Sequence, residues 1–194
     1  MIVQAYARNP RTGSFDPVSI LLDSGAQTSF ITNNTVSRLS LRPFASRTLT
    51  TVGFGGHKVT EETGLVDVQL LDNTDQPFEV RLYTKNVVAA PRKAQQLLPE
   101  DFAALRSNDV DPDSLLLTQA VQPDILLGMN YFWEVVSHGP PVVLPSGLVL
   151  SYTRFGPTVS GISFFVNVAQ VVDHSSAERS VDSVTRLWDL DLLG

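Results

Sequence analysis

Cysteine is absent from all 194 residues. That excludes disulfides, thiolate nucleophiles and cysteine-based zinc sites together, and it permits a reducing compartment without requiring one. Histidine is scarce, and His57, His138 and His174 stand apart from one another with no His-Glu-x-x-His helix, so no metal is expected. Neither the Gly-x-Ser-x-Gly elbow of serine hydrolases nor a Gly-Lys-Ser/Thr phosphate loop occurs, and nothing points to a cofactor. Positive charge is thin: 14 basic side chains face 20 acidic ones for a net charge of -6, and no basic run exceeds Arg92-Lys93. A direct nucleic-acid partner is therefore not expected. No run approaches the ~18 apolar residues of a membrane span, and the stretch from Met1 to Tyr6 turns polar too soon for a signal peptide. A soluble, untargeted chain with no membrane partner is expected, cytoplasmic in location.

What is present suits a folded domain. Hydrophobic residues make up 43% and charged ones 18%, enough for a core with an apolar surplus that an oligomer interface would absorb. The first half reads as short strands at 2–8, 18–22, 47–52, 58–71 and 78–83, separated by Gly, Pro, Asn and Asp, a texture of barrels and sandwiches. Asn33-Asn34-Thr35 would cap one helical turn over 36–39 before Pro43. The texture changes at 86–122, where a helix with Pro99 and two acids in its first turn is expected inside a long insertion. Then come an apolar strand at 125–127, a helical or turn-like stretch at 129–136, two strands flanking Pro145-Ser146-Gly147, and another from Gly161 to Val172. One domain over 1–172 with a polar tail or linker at 173–194 is the expected organisation.

The informative segment is Ile20-Leu21-Leu22-Asp23-Ser24-Gly25-Ala26-Gln27-Thr28-Ser29-Phe30-Ile31. A carboxylate set directly after a buried strand has its proton affinity governed by its neighbours. Gly25 lets the chain turn sharply or come close to a partner, and the Ser24 hydroxyl is placed to lock the turn. As a bare tripeptide, Asp-Ser-Gly is most often only a turn; the apolar run before it and the strand-like residues after it favour a catalytic carboxylate. Between two strand candidates, Gly53-Phe54-Gly55-Gly56 makes a glycine-rich hairpin tip, equally readable as a tight turn or as a mobile cover.

Together, the strand, Asp23-Ser24-Gly25-Ala26 turn and strand resemble the active-site motif of retropepsin-like aspartic proteases. Asp124-Ile125-Leu126-Leu127-Gly128-Met129-Asn130-Tyr131-Phe132-Trp133, the run from Leu144 to Leu150 and the run from Thr153 to Gly161 resemble the protease region of BEL/Pao-type retrotransposon polyproteins. The tail Thr185-Arg186-Leu187-Trp188-Asp189-Leu190-Asp191 resembles the stretch just after that region. The resemblance implies a mostly β fold, a closed barrel with short helices forming one lobe per chain. It implies Asp23 as catalytic carboxylate, Gly53, Phe54, Gly55 and Gly56 as the flap, and Ile125, Leu126, Leu127 and Gly128 as the strand behind the active site. The family's acids at the positions of Gln27 and Asn130 are missing, so the ion pairs that brace the dimer elsewhere are absent or replaced.

Peptide hydrolysis of this kind takes two carboxylates that share a proton. A second Asp-Ser/Thr-Gly does not occur, since Asp113-Ser114-Leu115 and Asp182-Ser183-Val184 both lack the glycine. The expected form is therefore a homodimer acting on a polypeptide substrate. The competing expectation is the same fold used as a dimerisation or interaction module, inactive through the changes at Gln27 and Asn130; a cellular relative adapted to other proteolysis is a further alternative.

Overall fold

The computed structural model describes residues 1–163 other than 93, 117–119 and 138, and omits the side chain of residue 54. The expected tail at 173–194, most of the strand expected from 161, the domain boundary after 172, His138 and His174 lie outside the described residues. All the elements named below belong to the compact unit Met1–Ile162.

Alternation of apolar and polar residues builds the strands. In β1 (Ile2–Arg8) and β2 (Phe15–Leu22), Val3, Ala5, Val18, Ile20 and Leu22 are buried while the residues between them are more exposed, the period of a sheet with one covered face. The strand β3 (Phe30–Thr32) leads straight into α1 (Asn33–Arg38). The cap of that helix is Thr32, whose hydroxyl accepts from the Thr35 amide at 3.1 Å, so the helix begins earlier than Asn33-Asn34-Thr35 suggested. Two long strands, β4 (Ala45–Val52) and β5 (Lys58–Leu71), form a ribbon, and β6 (Pro77–Lys85) returns along β5. The three-residue β7 (Ile125–Leu127) is buried throughout and leads into α3 (Met129–Val135).

These strands make one seven-stranded sheet in the order β1-β2-β7-β3-β6-β5-β4, and β1 also pairs with β5. The sheet thereby closes into a ring, with β4 left outside it as the free half of the ribbon. This is the closed, mostly β lobe that the sequence implied. β7 enters between β2 and β3, parallel to the first and antiparallel to the second. Ile20, Ile31, Leu70, Leu82, Ile125 and Leu127, all with no exposed surface, fill the ring.

The helix expected in the insertion is present. This helix, α2 (Pro99–Ser107), opens on Pro99 and packs into a second core made by Leu105, Val110 and Leu115 with Leu144, Leu148 and Leu150. The latter three belong to a separate small sheet of β8 (Val142–Val143), β9 (Val149–Thr153) and β10 (Gly156–Ser160), or to the turn within it. A buried carboxylate ties the two halves. Asp101 accepts from the Leu98 amide at 2.8 Å, closing the first turn of α2, and from the Ser146 amide at 2.9 Å in the β8–β9 turn. The strand β10 was not expected, because Gly156-Pro157 reads as punctuation. Pro157 is tolerated there because β10 is an edge strand of its sheet, where a missing N–H costs no ladder bond. Conversely, residues 161–163 are not strand.

Asp72 organises the β5–β6 turn. One oxygen accepts from the Thr74 hydroxyl at 2.7 Å and from the Thr74 and Gln76 amides at 2.9 Å each, while the other accepts from Arg154 Nε at 3.2 Å. The Thr74 hydroxyl first, then the Gln76 amide, and to a smaller degree the Thr74 amide and Arg154, lower its pKa to about 2. A carboxylate whose pKa is lower folded than unfolded stabilises the fold fully above the unfolded value of about 4, and that contribution is lost as pH falls toward 2. Asp72→Asn should therefore unfold with a shallower loss of stability between about pH 4 and pH 2 than wild type in denaturant titrations. Parallel acid limbs would refute the assignment.

Candidate active site

The end of β2 delivers Asp23 into a turn. Its amide donates to the Leu127 carbonyl at 3.0 Å, so the ladder with β7 continues one residue past the strand and holds the backbone of Asp23 rigidly. The alternation of β2 sends Leu22 into the core and Asp23 to the opposite side, where it is partly exposed. Its Oδ1 accepts from the Gly25 amide at 2.9 Å, and the Ala26 amide donates to the Asp23 carbonyl at 3.3 Å. The turn is thus locked by the aspartate itself. Ser24 is exposed, and its hydroxyl makes no hydrogen bond among the described residues, so the locking role expected of it is filled by Asp23 Oδ1. Among the same residues Oδ2 has no hydrogen-bond partner.

Behind the turn, Ile125, Leu126 and Leu127 form β7 as expected, and Gly128 makes the closest approach in the site. Its backbone φ of -90° is open to any residue, so the requirement is space rather than conformation. A Cβ built there overlaps the Ala26 carbonyl oxygen and lies 2.8 Å from the Thr28 carbonyl oxygen. The Met129 amide donates to that same Ala26 carbonyl at 2.7 Å, and the Gly128 amide donates to Ser29 Oγ at 2.9 Å. Ser29, fully buried, donates its hydroxyl hydrogen bond to Asn130 Oδ1 at 2.6 Å. Asn130, where the family often has an acid, thus has its Oδ1 partnered. Ser29 is a residue that sequence reasoning missed, because a serine in a turn-rich segment carries no mark of a partner 101 positions away.

A second network clamps the opposite end of the same three strands. The Asp124 carboxylate accepts from the Ser19 amide and hydroxyl at 2.9 and 3.0 Å, the Thr35 hydroxyl at 2.6 Å and Arg38 Nη2 at 3.0 Å. Burial alone would raise its pKa; the bonds from Thr35 and Ser19, with the Arg38 charge, outweigh burial and hold it below the usual carboxylate range. Every lone-pair direction is used, and Asp124 is a brace with no free oxygen to offer a substrate.

The expected flap is the distal end of the β4–β5 ribbon. Phe54–Gly56 makes a single 3-10 turn, closed by the Gly53 amide on the His57 carbonyl at 2.8 Å and the Gly56 amide on the Gly53 carbonyl at 3.1 Å. Gly55 and Gly56 have φ of 78° and 77°, a left-handed region that disfavours side chains, so the glycines are required by the turn. Val52 and Val59 near the tip are 61% and 52% exposed, so the tip of the ribbon carries unburied apolar side chains.

Among the described residues no group of three or more His, Asp or Glu side chains is arranged to hold a metal ion. Residues 12–131 match the family model described as aspartyl protease, a span that includes the Asp23 turn, the ribbon and β7. This chain belongs to the aspartyl protease family. No curated protein and no solved structure matches it.

The contacts at Gly128 yield a test. Gly128→Ala forces a methyl into the backbone carbonyls of Ala26 and Thr28 at the Asp23 turn, and should destabilise the chain by about 1–3 kcal/mol or more. The expected readout is a lower denaturant midpoint with an unchanged slope. An unaltered midpoint would mean that the turn and β7 are not in contact.

Proposed function

We propose that this chain is an aspartic endopeptidase that works as a homodimer, each copy contributing Asp23 to one catalytic pair. The single observation that carries the reading is Asp23 itself: a partly exposed carboxylate, held by one oxygen to the Gly25 amide and making no other hydrogen bond among the described residues, on a chain with no second Asp-Ser/Thr-Gly. Asp124, the other acid near β7, is excluded by its full set of bonds.

In the reaction, the ionised member of the pair takes a proton from a water molecule as its oxygen attacks the scissile carbonyl carbon. The protonated member gives its proton to the carbonyl oxygen, forming a gem-diol. Collapse returns one hydroxyl proton of the gem-diol to the carboxylate that had given its own, breaks the C–N bond and sends the proton taken from water, held by the other carboxylate, to the leaving nitrogen, so the pair ends with one shared proton as it began. Within the Ser24, Gly25 and Ala26 turn the Gly25 amide holds the carboxylate and the Ala26 amide holds the Asp23 carbonyl, and Gly53, Phe54, Gly55 and Gly56 act as the flap that covers the bound peptide. Ile125, Leu126, Leu127 and Gly128 fix the turn from behind. The substrate in this reading is a polypeptide, specifically the polyprotein of a BEL/Pao-type element within its cytoplasmic particle; the sequence resemblance supports that finer assignment.

Asp23→Asn keeps the turn bond from Gly25 but removes the shared proton and the base. Cleavage of an unstructured polypeptide should fall by on the order of 10³-fold or more with the melting temperature nearly unchanged. Retained cleavage would refute the assignment. Activity per chain should also fall on dilution, because a monomer holds half the pair, and should recover on reconcentration. Specific activity independent of concentration would refute the dimer.

A further inference from the structure

We propose that Lys85 and Glu61 form a specificity subsite that selects a carboxamide side chain, Gln or Asn, in the substrate two to three residues from the scissile bond. The inference rests on the reading of Asp23 as the catalytic carboxylate. It starts from the face of the sheet turned away from the core. Leu22, Leu127, Ile125, Ile31 and Leu82 fill the ring, so their neighbours Leu21, Leu126, Phe30 and Tyr83 stand on the opposite face, the one to which Asp23 also turns. These four are direct cross-strand partners: Leu21 opposes Leu126, Leu126 opposes Phe30, and Phe30 opposes Tyr83. They make an apolar row that begins beside the catalytic turn and runs across the strands toward the ribbon.

The row ends in charge. Lys85 is two residues beyond Tyr83 on the same face, with its Nζ 5.3 Å from the centre of the Phe30 ring and 2.9 Å from Glu61 Oε1. Glu61 comes from the ribbon, on the face it shares with buried Thr63 and Leu65, so it belongs to the side of the ribbon that turns toward the body. The two side chains remain 25% and 36% exposed, and an ion pair so open to solvent contributes little to stability. Strands lie about 4.8 Å apart, so Phe30, two strands from Leu21, is about 10 Å away, the length of roughly three residues of extended peptide. A bound peptide crossing the row from Asp23 thus brings a side chain to Phe30 and Lys85 within two to three residues of the bond to be cut.

The chemistry of the pair selects the guest. An ammonium has three N–H donors and only one is used on Glu61; the second Glu61 oxygen is free to accept. The pair carries no net charge and offers N–H donors and a carboxylate acceptor side by side, the complement of a primary amide. A charged guest of either sign is repelled by one partner, and an aliphatic guest leaves both unanswered.

Cut sites mapped by mass spectrometry in an unfolded polypeptide give a parent peptide, in which the second and third residues on each side of the bond are varied as Gln, Leu, Glu and Lys. At one of these positions wild type should prefer Gln to Leu by at least about fivefold in kcat/KM. Glu61→Gln should move the preference toward Glu, and Lys85→Met should move it toward Lys. Opposite shifts in the two variants are not produced by general loss of folding. An unchanged order of preference in all three proteins, with cleavage still dependent on Asp23, would overturn the subsite and leave the catalytic reading intact. No cleavage by wild type, or equal cleavage by Asp23→Asn, would overturn the catalytic reading and the subsite with it.

Discussion

The fold depends on the seating of β7 between β2 and β3. Three residues, Ile125, Leu126 and Leu127, supply ladder bonds to two strands that are adjacent in sequence but separated in space by that insertion. The gap is held open at one end by Asp124, which gathers Ser19, Thr35 and Arg38. At the other end it is closed by Gly128 pressed on the carbonyls of the Asp23 turn. The missing side chain at 128 is what lets the backbone of a helix start reach the backbone of a turn. Without that approach the Ala26 carbonyl and the Gly128 amide would both lose their partners.

The junction and the ribbon tip differ in how they are buried and held. The Asp23 turn is anchored by backbone bonds to a strand with no exposed surface at Ile125 or Leu127, whereas the ribbon tip exposes Val52 and Val59 and is held by its own ladder. In the proposed reading the carboxylate that must keep its position stands on the first kind of support and the proposed flap on the second. The insertion has a different place. Its helix shares a core with the three-stranded sheet, and Asp101 stitches that pair together.

Much of this was legible from residue pattern. Alternation in β1, β2, β5 and β6 is strong because each strand has one covered face, and Asp23-Ser24-Gly25 stands out because an acid directly after a buried run is unusual. Less legible were the boundaries: Thr32 rather than the following asparagines caps α1, and β10 is hidden behind Gly156-Pro157. The Ser29–Asn130 and Asp124 clusters left no local trace, since each joins residues roughly a hundred positions apart that have ordinary neighbours.

What the sequence by itself determined are the features with a short-range cause: strand periodicity, the glycine turn of the ribbon tip, the apolar run that ends in Asp23, and the absence of a second such motif. Only the tertiary structure decided which oxygen of Asp23 is tied, that Gly128 is required by space, that Asp124 is fully spoken for, and that Lys85 meets Glu61 beside Phe30. The physical reason is that hydrogen bonding and steric contact act over a few ångströms in space, and closing the sheet into a ring decides which distant parts of the chain come that near.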